Sequence, residues 1–387
     1  MSKTEWKECT IGDIADVQTG PFGSQLHEKD YVSAGTPIVT VEHLGNRTFS
    51  TQNLPMVSDS DKLRLQKYCM KQGDLIFSRV GSVDRCTYAN ENNEGWLFSG
   101  RCLRVRPQEC VDSMWLYYFF CLESTKTFIR NIAVGATMPS INTKLMCEVP
   151  VKYPPLAEQQ RIAKILSSLD DKIELNNAIN RNLEEQAQAI FKSWFVDFEP
   201  FGGEMPNDWT IGKLSDIADI TMGQSPDGKS YNENGNGVVF YQGRAEFGWR
   251  FPTRRLFTTA PSRMAKKYDI LMSVRAPVGD LNIANEDCCI GRGLAAIHSK
   301  NNHQSFVHYT IVALKPKLDM YNGEGTVFGC INRDALNNME TIIPSCQILN
   351  RFEKNVSLID EKIFSNHSEI MNLTLLRTEL LCKLMTK

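Results

Sequence analysis

The sequence of 387 residues contains no apolar run that approaches the roughly 20 residues needed to cross a membrane. Its opening stretch, MSKTEWKECT, also lacks the apolar core of a signal peptide. We therefore expect a cytoplasmic protein that does not span a membrane.

Patterns for metal binding and for common hydrolases are absent as well. The 12 cysteines form no CxxC pair, and the adjacent Cys288 and Cys289 do not have a zinc-ligand spacing. His298, His303 and His308 recur every fifth residue, which does not place them on one face of a helix. The G-x-S-x-G and H-E-x-x-H signatures are missing. We predict no metal site, no catalytic residue and reduced, mostly buried cysteines.

Neither sign of charge is in large excess, because 43 Lys and Arg stand against 45 Asp and Glu, for a net charge of −2. This balance argues against a nonspecific binder of polyanions. Basic residues are nevertheless clustered in both halves, which favours two surfaces that face a polyanion. The first cluster comprises Lys62, Arg64, Lys67, Lys71, Arg79, Arg85, Arg101, Arg104 and Arg106. The second comprises Arg244, Arg250, Arg254, Arg255, Arg263, Lys266, Lys267 and Arg275.

The most informative feature that is present is a long internal repeat. The segment DIAD at 13–16 returns at 216–219, and GDLIFSR at 73–79 is echoed by YDILMSVR at 268–275. GRCL at 100–103 likewise has a counterpart in GRGL at 291–294, so Arg79 is expected to match Arg275, and Arg101 to match Arg292. The distance along the sequence between matching segments is far too long for the repeat of a solenoid protein. It indicates two tandem copies of a whole domain with its connector.

Each copy has short strand-like runs followed by a long helical pattern, which predicts an α+β fold. We expect two tandem α/β domains separated by two long helices that pair as an antiparallel coiled coil. The predicted bounds are 1–153 for the first domain, 154–203 for the central helix, 204–344 for the second domain and 345–387 for the C-terminal helix.

The long helices carry matching heptad seams, in which apolar residues alternate at spacings of four and three. The first seam is Ile162, Leu166, Leu169, Ile173, Asn176, Asn180, Leu183, Ala187, Ile190 and Trp194. The second is Phe352, Val356, Ile359, Ile363, Asn366, Ile370, Leu373, Arg377, Leu380 and Leu384. An end-to-end antiparallel alignment places Asn180 opposite Asn366, a polar pair that would fix the register. The alternative is that each helix packs only on its own domain.

One segment imitates a nucleotide-binding motif. GQSPDGKS at 223–230 fits the P-loop pattern, which requires a helix beginning at the lysine so that backbone amides hold phosphate. Here the poorly helical YNENGNG follows, and the equivalent GPFGSQLH at 20–27 lacks the lysine. We interpret both segments as polar loops, which often carry binding residues.

The whole pattern resembles the DNA-specificity subunit of type I restriction–modification systems. The most specific segments are PPLAEQQRIAKILSSLDDKIELNN at 154–177 and AQAIFKSWFVDFEP at 187–200. The start of the second helix departs from this pattern, with PSCQILNRFE in place of PPLAEQQRIA.

This resemblance implies a non-catalytic, sequence-specific DNA-binding subunit. Each domain would be a target recognition domain that reads one half of a bipartite, asymmetric site on double-stranded DNA. The helices, roughly 60 Å long at 1.5 Å per residue, would set the spacing and dock two methyltransferase (modification) subunits. Restriction (motor and endonuclease) subunits would join them. S-adenosylmethionine, ATP and Mg²⁺ are expected in those partners, and no cofactor in this chain.

Candidate base-reading residues follow from side-chain chemistry, because Arg pairs with guanine while Gln and Asn pair with adenine. In the first copy they are Ser24, Gln25, Arg79 and Arg101. In the second copy they are Gln224, Ser225, Lys229, Gln242, Arg244, Arg275 and Arg292. Asn176, Asn180 and Asn366 are the candidates for helix pairing.

Three other functions remain open at this point. A two-headed coiled-coil adapter would bind protein without reading DNA, and would purify without a methyltransferase. A P-loop ATPase would bind ATP as an isolated chain. A nonspecific DNA tether would show a steep salt dependence and no sequence preference.

Overall fold

The computed structural model describes residues 6–323 and 329–386. The helices are α1 (Ile11–Ile14), α2 (Asp59–Arg64), α3 (Ser113–Cys121), α4 (Glu123–Ile132), α5 (Thr143–Cys147), α6 (Leu156–Phe195), α7 (Leu214–Ile217), α8 (Gln304–Ala313), α9 (Lys315–Asp319), α10 (Arg333–Asn337) and α11 (Cys346–Met385). None of the described helices is long and apolar enough to span a membrane.

The strands are short and recur in the same order in each half of the chain. Those of the first half are β1 (Lys7–Thr10), β2 (Ala15–Thr19), β3 (Tyr31–Val32), β4 (Thr36–Val39), β5 (Met56–Val57), β6 (Leu75–Ser78), β7 (Cys86–Tyr88), β8 (Leu97–Phe98), β9 (Cys102–Pro107) and β10 (Pro150–Tyr153). Those of the second half are β11 (Thr210–Lys213), β12 (Ala218–Met222), β13 (Tyr231–Asn232), β14 (Val238–Tyr241), β15 (Phe257–Thr258), β16 (Met264–Ala265), β17 (Ile270–Ser273), β18 (Leu281–Ile283), β19 (Cys288–Ile290), β20 (Leu294–Ser299) and β21 (Glu340–Ile343).

The chain divides into two compact units, with the division inside both long helices. Unit 1 contains residues 1–174 and 370–387, and unit 2 contains residues 175–369. Each unit therefore holds one globular head together with a segment of α6 and a segment of α11.

The two heads repeat one strand plan. Unit 1 has an antiparallel sheet in the order β2-β9-β6-β7, and unit 2 has the matching order β12-β20-β17-β18. A second sheet has the order β3-β5-β4-β8 in unit 1 and β13-β15-β14-β19-β16 in unit 2. In both, one pairing is parallel, β4 with β8 and β14 with β19. The described part of the chain thus confirms the α+β class and the duplication.

The sequence explains where α6 begins and why it is uninterrupted, and both long helices contribute to the core of each unit. Pro154 and Pro155 precede α6, and no Gly or Pro interrupts its 40 residues. In unit 1, Ile162 and Leu166 of α6 are buried in one core with Leu381 and Met385 of α11. In unit 2, the corresponding core contains Ala187, Phe191 and Phe195 of α6 with Phe352 and Val356 of α11.

Polar pairs between the two helices show that they run antiparallel within each unit. In unit 2, the Asn366 side-chain amide donates to Oδ1 of Asn180 over 2.9 Å, as the seam predicts. Asn176 donates in turn to Glu369 over 2.8 Å. All three asparagines are buried, at 1–2% exposure. In unit 1, Arg377 binds Asp170 at 3.0 Å. The predicted register is confirmed, and each helix also packs on a head.

An arginine from each head holds that head against the long helices. In unit 1, Arg47 pairs with Asp171 at 2.8 Å and with Glu174 at 3.5 Å, both on α6. In unit 2, Arg250 occupies the equivalent place, because the backbone hydrogen bond from Ser50 to His43 around Arg47 is matched by one from Thr253 to Glu246 around Arg250.

Arg250 pairs with Glu184 of α6 and, at 2.5 Å, with Asp360 of α11, and its side chain is only 5% exposed. Its assignment to a polyanion-facing surface is therefore wrong. Without these two carboxylates, burial of Arg250 would leave its positive charge uncompensated. Arg250 therefore helps to pack the head of unit 2 against the long helices.

Candidate nucleic-acid interface

A polar cleft in unit 2 collects five of the candidate base-reading residues. It encloses about 390 Å³ and its lining includes Ser225, Gln242, Arg244, Arg275 and Arg292. Glu246, Arg255 and Ser273 also line it. These side chains come from the end of β17 and from the segments that follow β12, β14, β17 and β19, so the cleft lies where several short strands end.

Close backbone packing brings these loops together. A Cβ atom on Gly223 would lie 2.2 Å from the carbonyl oxygen of Gly291, so only glycine fits where the loop after β12 crosses the loop after β19. The backbone amide of Arg292 then donates to Oγ of Ser225 over 3.4 Å. Gly223 is thus required by packing, and this contact places Arg292 in the cleft.

Arginine dominates the electrostatics of the cleft. Arg244 pairs with Asp280 at 3.0 Å, and Arg255 pairs with Glu246. That hydrogen bond to Glu246 raises the pKa of the Arg255 guanidinium above its ordinary value. Among the described residues, the guanidinium groups of Arg275 and Arg292 have no ion-pair or hydrogen-bond partner, and both side chains are exposed. Such donors suit phosphate oxygens or the acceptor edge of guanine.

Two predicted residues of unit 2 lie outside this lining. Gln224 is exposed, and its backbone carbonyl accepts a hydrogen bond from Ser262. Lys229 is exposed in a short 3-10 turn, Gly228–Ser230, and strand β13 follows at once. No α-helix begins at Lys229, so the P-loop resemblance has no phosphate-binding geometry behind it.

The candidate residues of unit 1 have different surroundings. Gln25 accepts a hydrogen bond from the Tyr68 hydroxyl at 2.7 Å, so its amide oxygen is engaged. Arg79 donates to the carbonyl of Gly100 over 3.3 Å, whereas Arg101 is exposed. Ser24 lies in the 3-10 turn Gly23–Gln25, and its side chain is outside the described part of the structure. Base reading by these four residues stays a prediction.

The expected equivalence of the arginines in β6 and β17 is wrong by one residue. The backbone amide of Arg79 donates to the carbonyl of Arg101, and the amide of Val274 makes the matching bond to Gly293. Arg79 therefore corresponds to Val274, and Arg275 comes one position later. Because successive side chains of an extended chain point to opposite sides, the two arginines point in different directions.

The same shift affects the glycine-arginine segments. Arg101 corresponds to Gly293, and Arg292 corresponds to Gly100. Matching letters in GRCL and GRGL suggested the wrong alignment, since hydrogen-bond register, not residue identity, defines structural equivalence. The two heads thus present arginine at different points of one backbone plan.

Part of the basic series in unit 1 also has a structural role. Arg104 is 3% exposed and its guanidinium binds Asp16 at 2.6 Å. Arg106 forms two hydrogen bonds of 2.7 Å to the buried carboxylate of Asp74. Arg104 and Arg106 are therefore wrongly assigned to a polyanion-facing surface.

No group of three or more His, Cys, Asp or Glu side chains within residues 6–323 and 329–386 could hold a metal ion.

Comparison with known proteins defines the class. The family model described as the type I restriction modification DNA specificity domain matches residues 3–185 and again residues 206–374. The putative type I restriction enzyme MjaX specificity subunit of Methanocaldococcus jannaschii is 32% identical, over 93% of this chain and 88% of its own length. The MjaIX specificity subunit of the same organism is 27% identical, over 98% of this chain and 92% of its own length.

A solved structure shares the fold. The type I restriction–modification S subunit from M. genitalium superposes with a TM-score of 0.68 at 18% sequence identity, covering 100% of this chain and 98% of that one. The chain belongs to the type I restriction–modification DNA specificity family. It is a non-catalytic specificity subunit, as the resemblance of its sequence implied.

Proposed function

We propose that each head binds one half of a bipartite, asymmetric DNA sequence within a type I restriction–modification complex. The observation that carries this proposal is the arginine-lined cleft of unit 2, whose Arg275 and Arg292 are exposed donors. Arginine side chains in such a place read guanine or contact phosphate. The one-residue shift of arginines between the heads supports two different half-sites and hence an asymmetric target.

The long helices have two tasks in this proposal. They set the distance between the half-sites, and they dock two methyltransferase subunits, with restriction subunits joining the complex. Buried polar pairs such as Asn180–Asn366 support the first task, because they fix the register of the helix pair. S-adenosylmethionine would be bound by the methyltransferase subunits, and ATP and Mg²⁺ by the partners.

The near-neutral charge of the chain is consistent with work inside a complex. A net charge of −2 leaves much of the phosphate neutralisation to partner subunits. The cleft arginines can then serve sequence reading.

Adenine methylation across the genome tests this function. Cells with the chain and its partner subunits should carry a bipartite methylated motif, and deletion of the chain alone should erase that motif. A control deletion of an unrelated restriction gene should leave it intact. A motif that persists without the chain would contradict the proposal, and co-purification with proteins other than methyltransferase or restriction subunits would favour a protein-binding adapter.

A further inference from the structure

One position carries a buried polar side chain in both heads, although the residue type differs. In unit 2 it is Glu246, the last residue of a 3-10 turn after β14, and in unit 1 it is His43, the last residue of the turn after β4. The backbone is the same in both places. The carbonyl of Glu246 accepts from the amide of Thr253 at 2.9 Å, and that of His43 accepts from Ser50 at 2.8 Å.

Each of these side chains keeps one hydrogen-bonding atom without a partner. Glu246 is 2% exposed and His43 is 1% exposed. Within the described residues, Oε2 of Glu246 and Nε2 of His43 have no hydrogen-bond partner. Burying such an atom without a partner is unfavourable. In unit 1 the other ring nitrogen of His43 already caps its own turn, so the observation that points to a ligand is the unpartnered Oε2 of Glu246, a residue that lines the cleft.

In unit 2 this side chain belongs to the arginine-lined cleft. Glu246 lines the cleft together with Arg244, Arg275 and Arg292. Its Oε1 is paired with Arg255, whose side chain is 55% exposed. Because Arg255 is exposed and Glu246 is its only ion-pair partner among the described residues, a DNA phosphate can bind the Arg255 guanidinium in place of Glu246. The Glu246 carboxylate is then open to a base.

The chemistry of the carboxylate selects the base. An ionised carboxylate only accepts hydrogen bonds. In the major groove, the exocyclic N4 amine of cytosine is the donor that Glu and Asp read, and the guanine opposite it offers O6 and N7 to arginine. A glutamate that is surrounded by arginines can therefore recognise one G·C pair, in which the carboxylate binds the cytosine and an arginine binds the guanine.

We infer that Glu246 is a specificity-determining residue of unit 2, which accepts a hydrogen bond from the N4 amine of a cytosine in its half-site. This inference rests on the proposed DNA-reading function. Unit 1 offers the opposite chemistry at the same position. The Thr40 amide donates to Nδ1 of His43 over 3.2 Å, so the ring proton is on Nε2, which is a donor.

The test uses the intact complex that carries Glu246→Gln. Its sequence preference is measured by competition among DNA duplexes that carry each of the four bases at each position of the half-sites. Glutamine fills the same space but reads adenine. The preference for cytosine at one position of one half-site should fall about tenfold, with a gain for adenine. Glu286→Gln is the matched control, because that carboxylate pairs with Arg254 outside the cleft. It should leave every position unchanged.

Three results would overturn the assignment. One is an unchanged preference in a stably assembled Glu246→Gln complex. Another is an equal loss at all positions together with a lower melting temperature, which would mark a structural role. The last is loss of the cytosine preference in Arg255→Ala, which uncovers the carboxylate and should keep that preference. If the unmodified complex shows no sequence preference, the proposed function itself fails.

Discussion

Strand β6 of unit 1 is followed directly by Arg79, whereas β17 of unit 2 is followed by Val274 and only then by Arg275. The hydrogen bonds around these residues are the same, with Ile141 donating to the carbonyl of Arg79 and Ile331 to that of Val274. The duplication has therefore kept the backbone and moved the side chains. A specificity subunit benefits from this, since a constant frame can hold readers of different sequences.

The contacts of the heads with the long helices differ in a second way. Arg250 is nearly inaccessible between two carboxylates, and Tyr309 donates a further hydrogen bond to Asp360 at 3.0 Å. Arg47 is 15% exposed, and its partners Asp171 and Glu174 are 63% and 49% exposed. Unit 2 relies on a buried charge network where unit 1 relies on a surface one.

The largest expected effect concerns this difference. Arg250→Ala should lower the free energy of unfolding by about 3–5 kcal/mol, because it strands the Glu184 and Asp360 carboxylates. Arg47→Ala should lower it by only about 1 kcal/mol, since its partners remain solvated. Urea denaturation of the two variants measures both values. Equal losses would mean that exposure does not distinguish the two arginines.

The next effect concerns the polar pairs of the helix seams. Asn180→Leu alone should destabilise the protein by about 1–3 kcal/mol, because Asn366 loses its buried partner. The double variant Asn180→Leu with Asn366→Leu should recover most of that loss, since both positions become apolar. A double-mutant cycle by thermal unfolding gives the coupling, and strictly additive losses would show that the two residues do not form a pair.

The cleft of unit 2 yields a prediction on DNA reading. Arg275→Ala should weaken binding to the target by about 1–3 kcal/mol in the assembled complex and relax one base position. Arg333→Ala removes an exposed arginine of the same unit outside the cleft and should have little effect. Methylation sequencing gives the motif, and an unchanged motif with Arg275→Ala would remove this residue from the readers.

The smallest effect concerns a matched polar contact at the sheet. Asp74 is bound by Arg106 in unit 1, and the equivalent Asp269 is bound by Nδ1 of His298 at 2.6 Å in unit 2. His298→Arg should raise the free energy of unfolding by about 0.5 kcal/mol, because guanidinium offers two parallel donors and a permanent charge. Arg106→His should lower it by a similar amount. Changes of the same sign in both variants would contradict the equivalence.

Repeated, local patterns made much of this fold predictable. The heptad seams place Asn180 opposite Asn366 because their spacing is regular over the whole of α6 and α11. The gathering of Gln242, Arg275 and Arg292 in one cleft follows the ends of repeated strands.

What the sequence could not show depends on contacts between distant residues. Arg250 looks like its basic neighbours, and only its pairing with Asp360 on another element reveals its burial. Glu246 was missed because the candidates were sought among side chains that pair with guanine or adenine, whereas Glu pairs with cytosine. Its burial in the turn after β14, equivalent to that of His43, is set by tertiary packing. The arginine register was misaligned because short identical segments outweighed the hydrogen bonds that define equivalence.

The most direct measurement is the methylation motif of cells that carry the double variant Arg275→Ala with Arg292→Ala in the complete complex. If the two heads, which share one backbone plan, read DNA independently, the base preference in one half of the motif should become relaxed while the other half stays unchanged. Equal relaxation of both halves, or an intact motif in both, would contradict the division of reading between the heads.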